Sequence, residues 1–353
     1  MIANGRGLGV QDSAAIDGLR GFAALIVVAS HASNLGMHWV PGVSLSGIGK
    51  YGVYLFFVIS AFLLTLQWLQ LPPGRSGTAA ALGRYMLRRA ARIYPLYAVV
   101  LLVGWALAPR GLGVPMDGAA VWRHLSLQEG RDIYWSVPVE FKFYLLIPLL
   151  AWGLTAPLAS GWKGLGLVAL VGISMVVFPA SASVLNSIAL GDYLPIFLCG
   201  SAAAWAVHQG WVSARAEANW RAADIAALLL LALTVPSALQ ALGVSAPADL
   251  LHREFLGWGL FWSLWLLAML RGWLPTWAAL LRLAPLRACG HWCFGIYLLH
   301  MPALFLAKRL PFPEAALGVA ALLIALAVAA LAHALIERPA MRWAARITRR
   351  PSV

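Results

Sequence analysis

Charge is scarce in this chain. Only 11% of its 353 residues are Asp, Glu, Lys or Arg and 61% are hydrophobic, against about 25% charged in an ordinary soluble domain. With 13 acidic and 26 basic side chains there is too little charge to clothe a water-facing surface, so a soluble globular enzyme is excluded. Most of the surface must face lipid. Acidic residues are the scarcer kind, which leaves a formal net charge of +13. No basic run carries the aromatics or the soluble fold that nucleic-acid binding needs. Membrane asymmetry explains the excess, and no nucleic-acid partner is expected. Cysteine is almost missing too: three residues, an odd number, cannot build a full disulfide framework, and Cys199 and Cys293 sit inside apolar runs. No repeat of about 20 to 50 residues is evident, which excludes a solenoid.

What the chain has in abundance is apolar sequence long enough to cross a bilayer, for which about 20 residues suffice. Ten runs qualify, at approximately 14–36, 48–70, 93–109, 137–154, 164–180, 189–208, 222–243, 254–270, 290–307 and 314–336. The first is too long, and followed by too many others, to be a cleaved signal sequence. With the N-terminus in the cytoplasm, 17 of the 26 Lys and Arg fall in cytoplasmic segments and 7 outside, Lys50 at the edge of the second run among the latter; Arg20 and Lys142 lie within spans. The bias of basic residues toward the cytoplasm therefore favours both termini inside. The expected fold is an all-α polytopic membrane protein of about ten helices. It forms one membrane domain over 1–353, with spans from about 14 to 336 and no appended soluble domain. The segment at about 110–136 is long enough to cap an outward-facing cavity.

An ionisable group inside a span is costly and is a functional candidate by default. The candidates are Asp17, Arg20, His31, Glu140, Lys142, Asp192, His208, His300 and His333. The eleven steps from Arg20 to His31, at about 100° each, end about 20° past three full turns, so both lie on one helix face about 16 Å apart. Such a pair could hold the two ends of one extended ligand along a continuous passage. Equally, Arg20 could snorkel to headgroups while His31 bonds a neighbouring helix. Arg84, Arg88 and Arg92 recur every four residues. If helical, they share a face that suits phosphate, although the same charges also serve topology alone.

Gly52 through Leu64 sets Ser60 and Ala61 among aromatics, a pattern that plain helix packing also uses. Ser136 can cap the fourth span and Pro138 is tolerated in its first turn, which places Glu140 about one turn in with Tyr144 on the same face. Lys142 points elsewhere, leaving a membrane carboxylate in want of a cation or hydrogen bond. His300 is a second deep histidine. His291, Cys289 and Cys293 lack the second ligand pair of a zinc site, so no metal is expected. The tail through Arg342, Arg346, Arg349 and Arg350 reads as a basic anchor.

Four motifs follow one another between Asp17 and Pro339: Arg20 with His31; Gly52 through Leu64; Arg88-Arg89-Ala-Ala-Arg92-Ile-Tyr-Pro95; and Trp135-Ser136 through Glu140 to Tyr144. Ile296-Tyr297-Leu-Leu-His300 and Glu337-Arg338-Pro339 add to them. In this combination the chain resembles the acyltransferase 3 family of multi-pass membrane proteins, departing from it at Ala61, where the family usually has Gly. The resemblance implies transfer of an acyl group, commonly acetyl, from cytoplasmic acyl-CoA to a hydroxyl of an extracytoplasmic or lipid-linked glycan, in the bacterial cytoplasmic (inner) membrane. It implies a catalytic set of His31, Glu140 and Arg20, with His31 as general base or transient acyl carrier and Glu140 orienting or balancing a histidine. Arg20, Arg88, Arg89 and Arg92 would hold the donor's phosphates, while Asp17, Ser60, Ser136, Tyr144 and His300 would support the site or place the acceptor. A thioester is already activated, so acyl-CoA enters as co-substrate, with no metal and no permanently bound cofactor; membrane lipids are the remaining partners. The competing class is a secondary transporter or flippase for a lipid-linked sugar, in which the same buried charges would be substrate or proton sites.

Overall fold

The structure is a computed structural model that describes residues 8–39, 43–71, 78–111, 115–156, 158–183, 185–212, 221–244 and 248–348; Arg349 and Arg350 of the basic tail lie outside the described residues. The described residues form helices joined by turns: α1 (Val10–Asn34), α2 (Gly49–Leu69), α3 (Ala79–Leu107), α4 (Gly118–Leu125), α5 (Ser136–Thr155), α6 (Ser160–Val177), α7 (Leu190–His208) and α8 (Arg221–Ala232). There follow α9 (Pro236–Ala241), α10 (Ala248–Arg253), α11 (Phe255–Arg271), α12 (Pro275–Leu281), α13 (Ala284–His291), α14 (Cys293–Ala307), α15 (Glu314–Ala332) and α16 (Arg338–Ile347). Among the described residues seven helical stretches are long and apolar enough to span a bilayer, or up to nine if the bent pairs α11–α12 (93°) and α13–α14 (84°) each count once.

The run at 222–243 is not a single span. The helix α8 stops at Ala232, and Pro236, which has no N–H to give to a preceding turn, opens α9 instead. The 12 residues of α8 reach about 18 Å, short of the roughly 30 Å of a hydrocarbon core. The segment still links two levels: the Asp224 carboxylate accepts from the backbone N–H of Thr276 and Trp277 at 3.1 and 3.4 Å, and Ser237 Oγ donates to the Ser44 carbonyl at 2.6 Å. The third run begins earlier than its hydropathy suggests. Thr78 Oγ1 caps α3 by accepting from Ala81 N at 3.2 Å, and the helix continues through the arginine motif and Pro95. The helices α15 and α16 form one stretch through a π-turn at His333–Glu337.

At the centre of the bundle α1 packs on α2, α13 and α14. Small residues set how closely. A Cβ on Gly18 would fall 1.8 Å from the Leu281 carbonyl oxygen, so α1 and α12 meet backbone to backbone. Gly18→Ala therefore pushes α12 away and is expected to cost about 1–3 kcal/mol, read as a lower Tm in detergent; an unchanged Tm contradicts this packing. A Cβ on Gly200 of α7 would lie 2.9 Å from the Ala61 methyl. The room that a Gly at 61 would leave is thus supplied by the partner helix.

On the outside, α6 presents Leu165, Val168, Ile173 and Val176 to the surroundings, as a lipid-facing helix does. The segment expected to cap a cavity does so: α4 leads to a 3₁₀ turn at Asp132–Trp135 whose residues line the larger cavity. Glu129 is clamped there by Arg123 and Arg131, and the hydrogen bond from Arg123 holds its carboxyl below the usual range.

Candidate active site

Near the end of α1, His31 Nδ1 lies 2.8 Å from His300 Nε2 of α14, the rings stacked with centroids 4.9 Å apart. The other nitrogen of His300, Nδ1, is 2.7 Å from the Tyr297 carbonyl oxygen. That oxygen only accepts, so His300 Nδ1 carries the proton and its Nε2 has the lone pair. His31 must then donate from Nδ1, which leaves His31 Nε2 unprotonated. The two imidazoles and the Tyr297 carbonyl thus set the tautomer of the catalytic candidate, which also makes a backbone hydrogen bond to Val27; among the described residues no carboxylate is hydrogen-bonded to it.

His31 lines a cavity of about 850 Å³ together with Ser30, Asn34, Lys50, Asp132 and Asn186. Asp132 is within electrostatic reach of His31, and Lys50 Nζ lies 5.6 Å over the Trp135 ring. Asp132 and Asn186 both sit in the left-handed backbone region, at φ 46° and 60°. Short polar side chains tolerate that region better than others do, and such positions gather at functional sites.

A second cavity, of about 260 Å³, lies toward the start of α1. Arg20, Arg89 and Arg92 line it, facing Glu140, Ser60 and Tyr144. Arg20 Nη2 donates to Cys293 Sγ at 3.3 Å, while Glu140 Oε1 accepts from Ser60 Oγ and, at 2.6 Å, from Tyr144 OH. Glu337, buried on the π-turn, is within electrostatic reach of Arg92 and Arg20, and Asp17 of Arg20. Arg92 meanwhile feels both Arg20 and Arg89, and the Arg89 Nε–H is buried without a hydrogen-bond partner. Three like charges around one small cavity repel one another, and an unpaired guanidinium N–H is costly to bury. An anion with several oxygens relieves both penalties.

Several expectations change here. Arg88 is exposed and its Nε donates to Thr348 Oγ1 at 2.8 Å, which ties α3 to α16; the pair that lines the cavity from α3 is Arg89 and Arg92, three apart. Ser136 does not cap α5, because its hydroxyl donates to Tyr297 OH at 2.9 Å. Glu140 does not orient a histidine: it lines the arginine cavity with Ser60 and Tyr144, and His300 is the partner of His31. Lys142 turns away from Glu140, as expected, and donates to the Ile188 carbonyl at 2.8 Å. Arg20 and His31 do not open onto one passage. They line two cavities that share Val53 and Tyr297 as a common wall.

Sequence reasoning gave no site role to Asp132, Lys50 or the wall residue Tyr297, the last quoted only as part of a motif. Asp132 stood just outside the run beginning at 137, though its rarity as one of 13 acidic residues was a usable signal. Tyr297 is fixed at both sides of its hydroxyl, accepting from Ser136 and donating to the Ile133 carbonyl at 2.5 Å.

An all-helical membrane protein with a histidine pair at one cavity and a cluster of three arginines at the next has the parts of a group-transfer enzyme. The chain belongs to the acyltransferase 3 family: the family's sequence profile, described as an acyltransferase domain, matches residues 13–335. It is similar to acyltransferase MdmB of Streptomyces mycarofaciens, 26% identical over 387 aligned positions that cover 95% of this chain and 93% of the relative. It is also similar to the protein named "Putative membrane-bound transacylase BcsY" of Komagataeibacter xylinus, 29% identical over 157 positions, 38% of this chain and 36% of that one. No solved structure matches it. The protein is therefore an acyltransferase of the membrane.

Proposed function

We propose that the protein moves an acyl group, acetyl by default, from acyl-CoA bound on the cytoplasmic side to a hydroxyl of an extracytoplasmic or lipid-linked glycan, in a bacterial cytoplasmic membrane. The observation that carries this reading is the hydrogen-bond order from the Tyr297 carbonyl through His300 to His31, which leaves Nε2 unprotonated on a histidine that lines the larger cavity. Arg20, Arg89 and Arg92 hold donor phosphate at the smaller one, whose size admits the phosphate and slender arm of the donor and leaves its nucleotide at the surface. At His31 the acceptor hydroxyl gives its proton to Nε2 as its oxygen attacks the thioester carbonyl. The C–S bond breaks, the thiolate leaves, and the proton on Nε2 returns to it. Asp132 favours the imidazolium that forms between these steps. In a two-step route the same nitrogen would carry the acyl group transiently. The aromatic and polar residues around Lys50, Trp135 and Asn34 suit a polyhydroxylated ring.

The test is purified protein in liposomes given labelled acetyl-CoA and a cell extract as acceptor. Label transferred to a product with release of CoA supports the proposal. Accumulation of unmodified substrate across the bilayer, without thioester cleavage, would instead make the protein a transporter.

For donor and acceptor to react, the acyl arm must pass the wall at Val53 and Tyr297. Tyr297→Ala keeps the backbone carbonyl that orients His300 but opens that wall to water from the larger cavity. The ratio of transfer to thioester hydrolysis is expected to fall by about tenfold, 1.4 kcal/mol. A ratio equal to that of the wild type would mean that the arm does not cross there.

A further inference from the structure

We infer that the acceptor reaches His31 sideways from the membrane, as an amphiphile whose hydroxyl-bearing head lies at the polar end of the larger cavity and whose aliphatic chain lies between α3 and α15. This rests on the acyltransferase reading and adds the class of acceptor to it. The cavity changes character along its length. Asn34, Lys50, Asp132 and Asn186 line it together with His31, Asp132 within electrostatic reach of the imidazole, whereas α3 and α15 contribute aliphatic side chains. Val99 and Val103 of α3 oppose Val328 and Leu331 of α15 and Leu335 of the π-turn.

These five side chains line the cavity and are nevertheless 40–66% exposed, so the cavity is open along this side. They belong to the two longest apolar helical stretches among the described residues, Ala79–Arg110 and Ala316–Ile347, 32 residues each. A mouth between two such helices meets hydrocarbon. A water-soluble glycan would have to shed its hydration to enter there, at a cost of several kcal/mol for the polar groups left unpaired. An aliphatic chain already in the bilayer pays no such penalty, and only its head needs the polar groups beside His31. A cavity built solely for a soluble sugar would gain nothing from that aliphatic end.

The test blocks the mouth after folding. Val103→Cys and Leu331→Cys are purified singly, reconstituted, and alkylated with N-benzylmaleimide; the three native cysteines are buried. Val176→Cys, on the lipid face of α6 at 81% exposure, is the alkylated control. With labelled acetyl-CoA and a total extract of the cells that make the protein, the label is expected in the chloroform–methanol phase. Alkylation at 103 or 331 is expected to lower that product by tenfold or more, while thioester hydrolysis stays within twofold and the control does not change. Label in the aqueous phase only, or organic label undiminished at both positions, overturns the inference and leaves the enzyme reading standing. Neither transfer nor hydrolysis by the unaltered protein would overturn both.

Discussion

His31→Ala is expected to lower kcat for acyl transfer by about 10³-fold and to leave donor affinity within about twofold, because a positioned general base contributes on the order of 10²–10⁴ and the arginines proposed to hold the donor line the other cavity. His300 does not reach the larger cavity and acts through His31. His300→Gln keeps a side-chain oxygen that can accept from His31 Nδ1, whereas His300→Phe removes that acceptor and leaves the His31 ring only its backbone hydrogen bond to Val27. The Phe variant is expected to lose about 10- to 100-fold in kcat with KM for the donor unchanged, and Gln to recover part of that loss. Steady-state kinetics with labelled acetyl-CoA separates these outcomes. A His31→Ala enzyme that transfers acyl groups at the wild-type rate would remove His31 from the chemistry.

Arg89→Ala combined with Arg92→Ala is expected to weaken binding of acyl-CoA by about 10²–10⁴-fold. Each lost charge-assisted hydrogen bond is worth about 1.5–3 kcal/mol, and every 1.4 kcal/mol is a factor of ten. The effect falls on donor affinity, since neither residue lines the cavity that holds His31. Arg88→Ala is the matched control from the same helix. It loses the bond to Thr348 that joins α3 to α16, so it changes stability and keeps donor affinity within about threefold. Calorimetric titration of the detergent-solubilised protein with CoA reads both. If the Arg88 variant binds as weakly as the double variant, the donor lies along the exposed face of α3 and not in the cavity.

How far the sequence revealed all this depends on the kind of feature. Periodicity and hydropathy placed Arg20 and His31 on α1 about 16 Å apart, because a helix fixes rise and rotation whatever surrounds it. Glu140 and Tyr144 were likewise legible as partners, since four residues on one helix face make a contact local. What spacing could not supply was the neighbour across the bundle. His300 lies 269 residues from His31, and Tyr297 lies 161 from Ser136; such pairs depend on how α14 bends away from α13 and turns back along α1. The four-residue recurrence of Arg84, Arg88 and Arg92 was a true helical pattern, yet of the three only Arg92 lines the cavity, with Arg20 and Arg89. Which arginines enter a cavity depends on where α16 contacts α3, and Thr348 claims Arg88. The break at Pro236 shows the same limit for the fold, because an apolar run has a length only if one helix carries it.

A structure with a non-cleavable thioether analogue of acetyl-CoA decides most directly between His31 and any other base. The expected density has phosphate against Arg89 and Arg92, the arm past Tyr297, and the acyl carbonyl about 3–3.5 Å from the atom that attacks it, beside His31 Nε2. An arm that ends below Tyr297, with the carbonyl against Glu140 and Tyr144, would contradict that arrangement and hand the chemistry to the carboxylate.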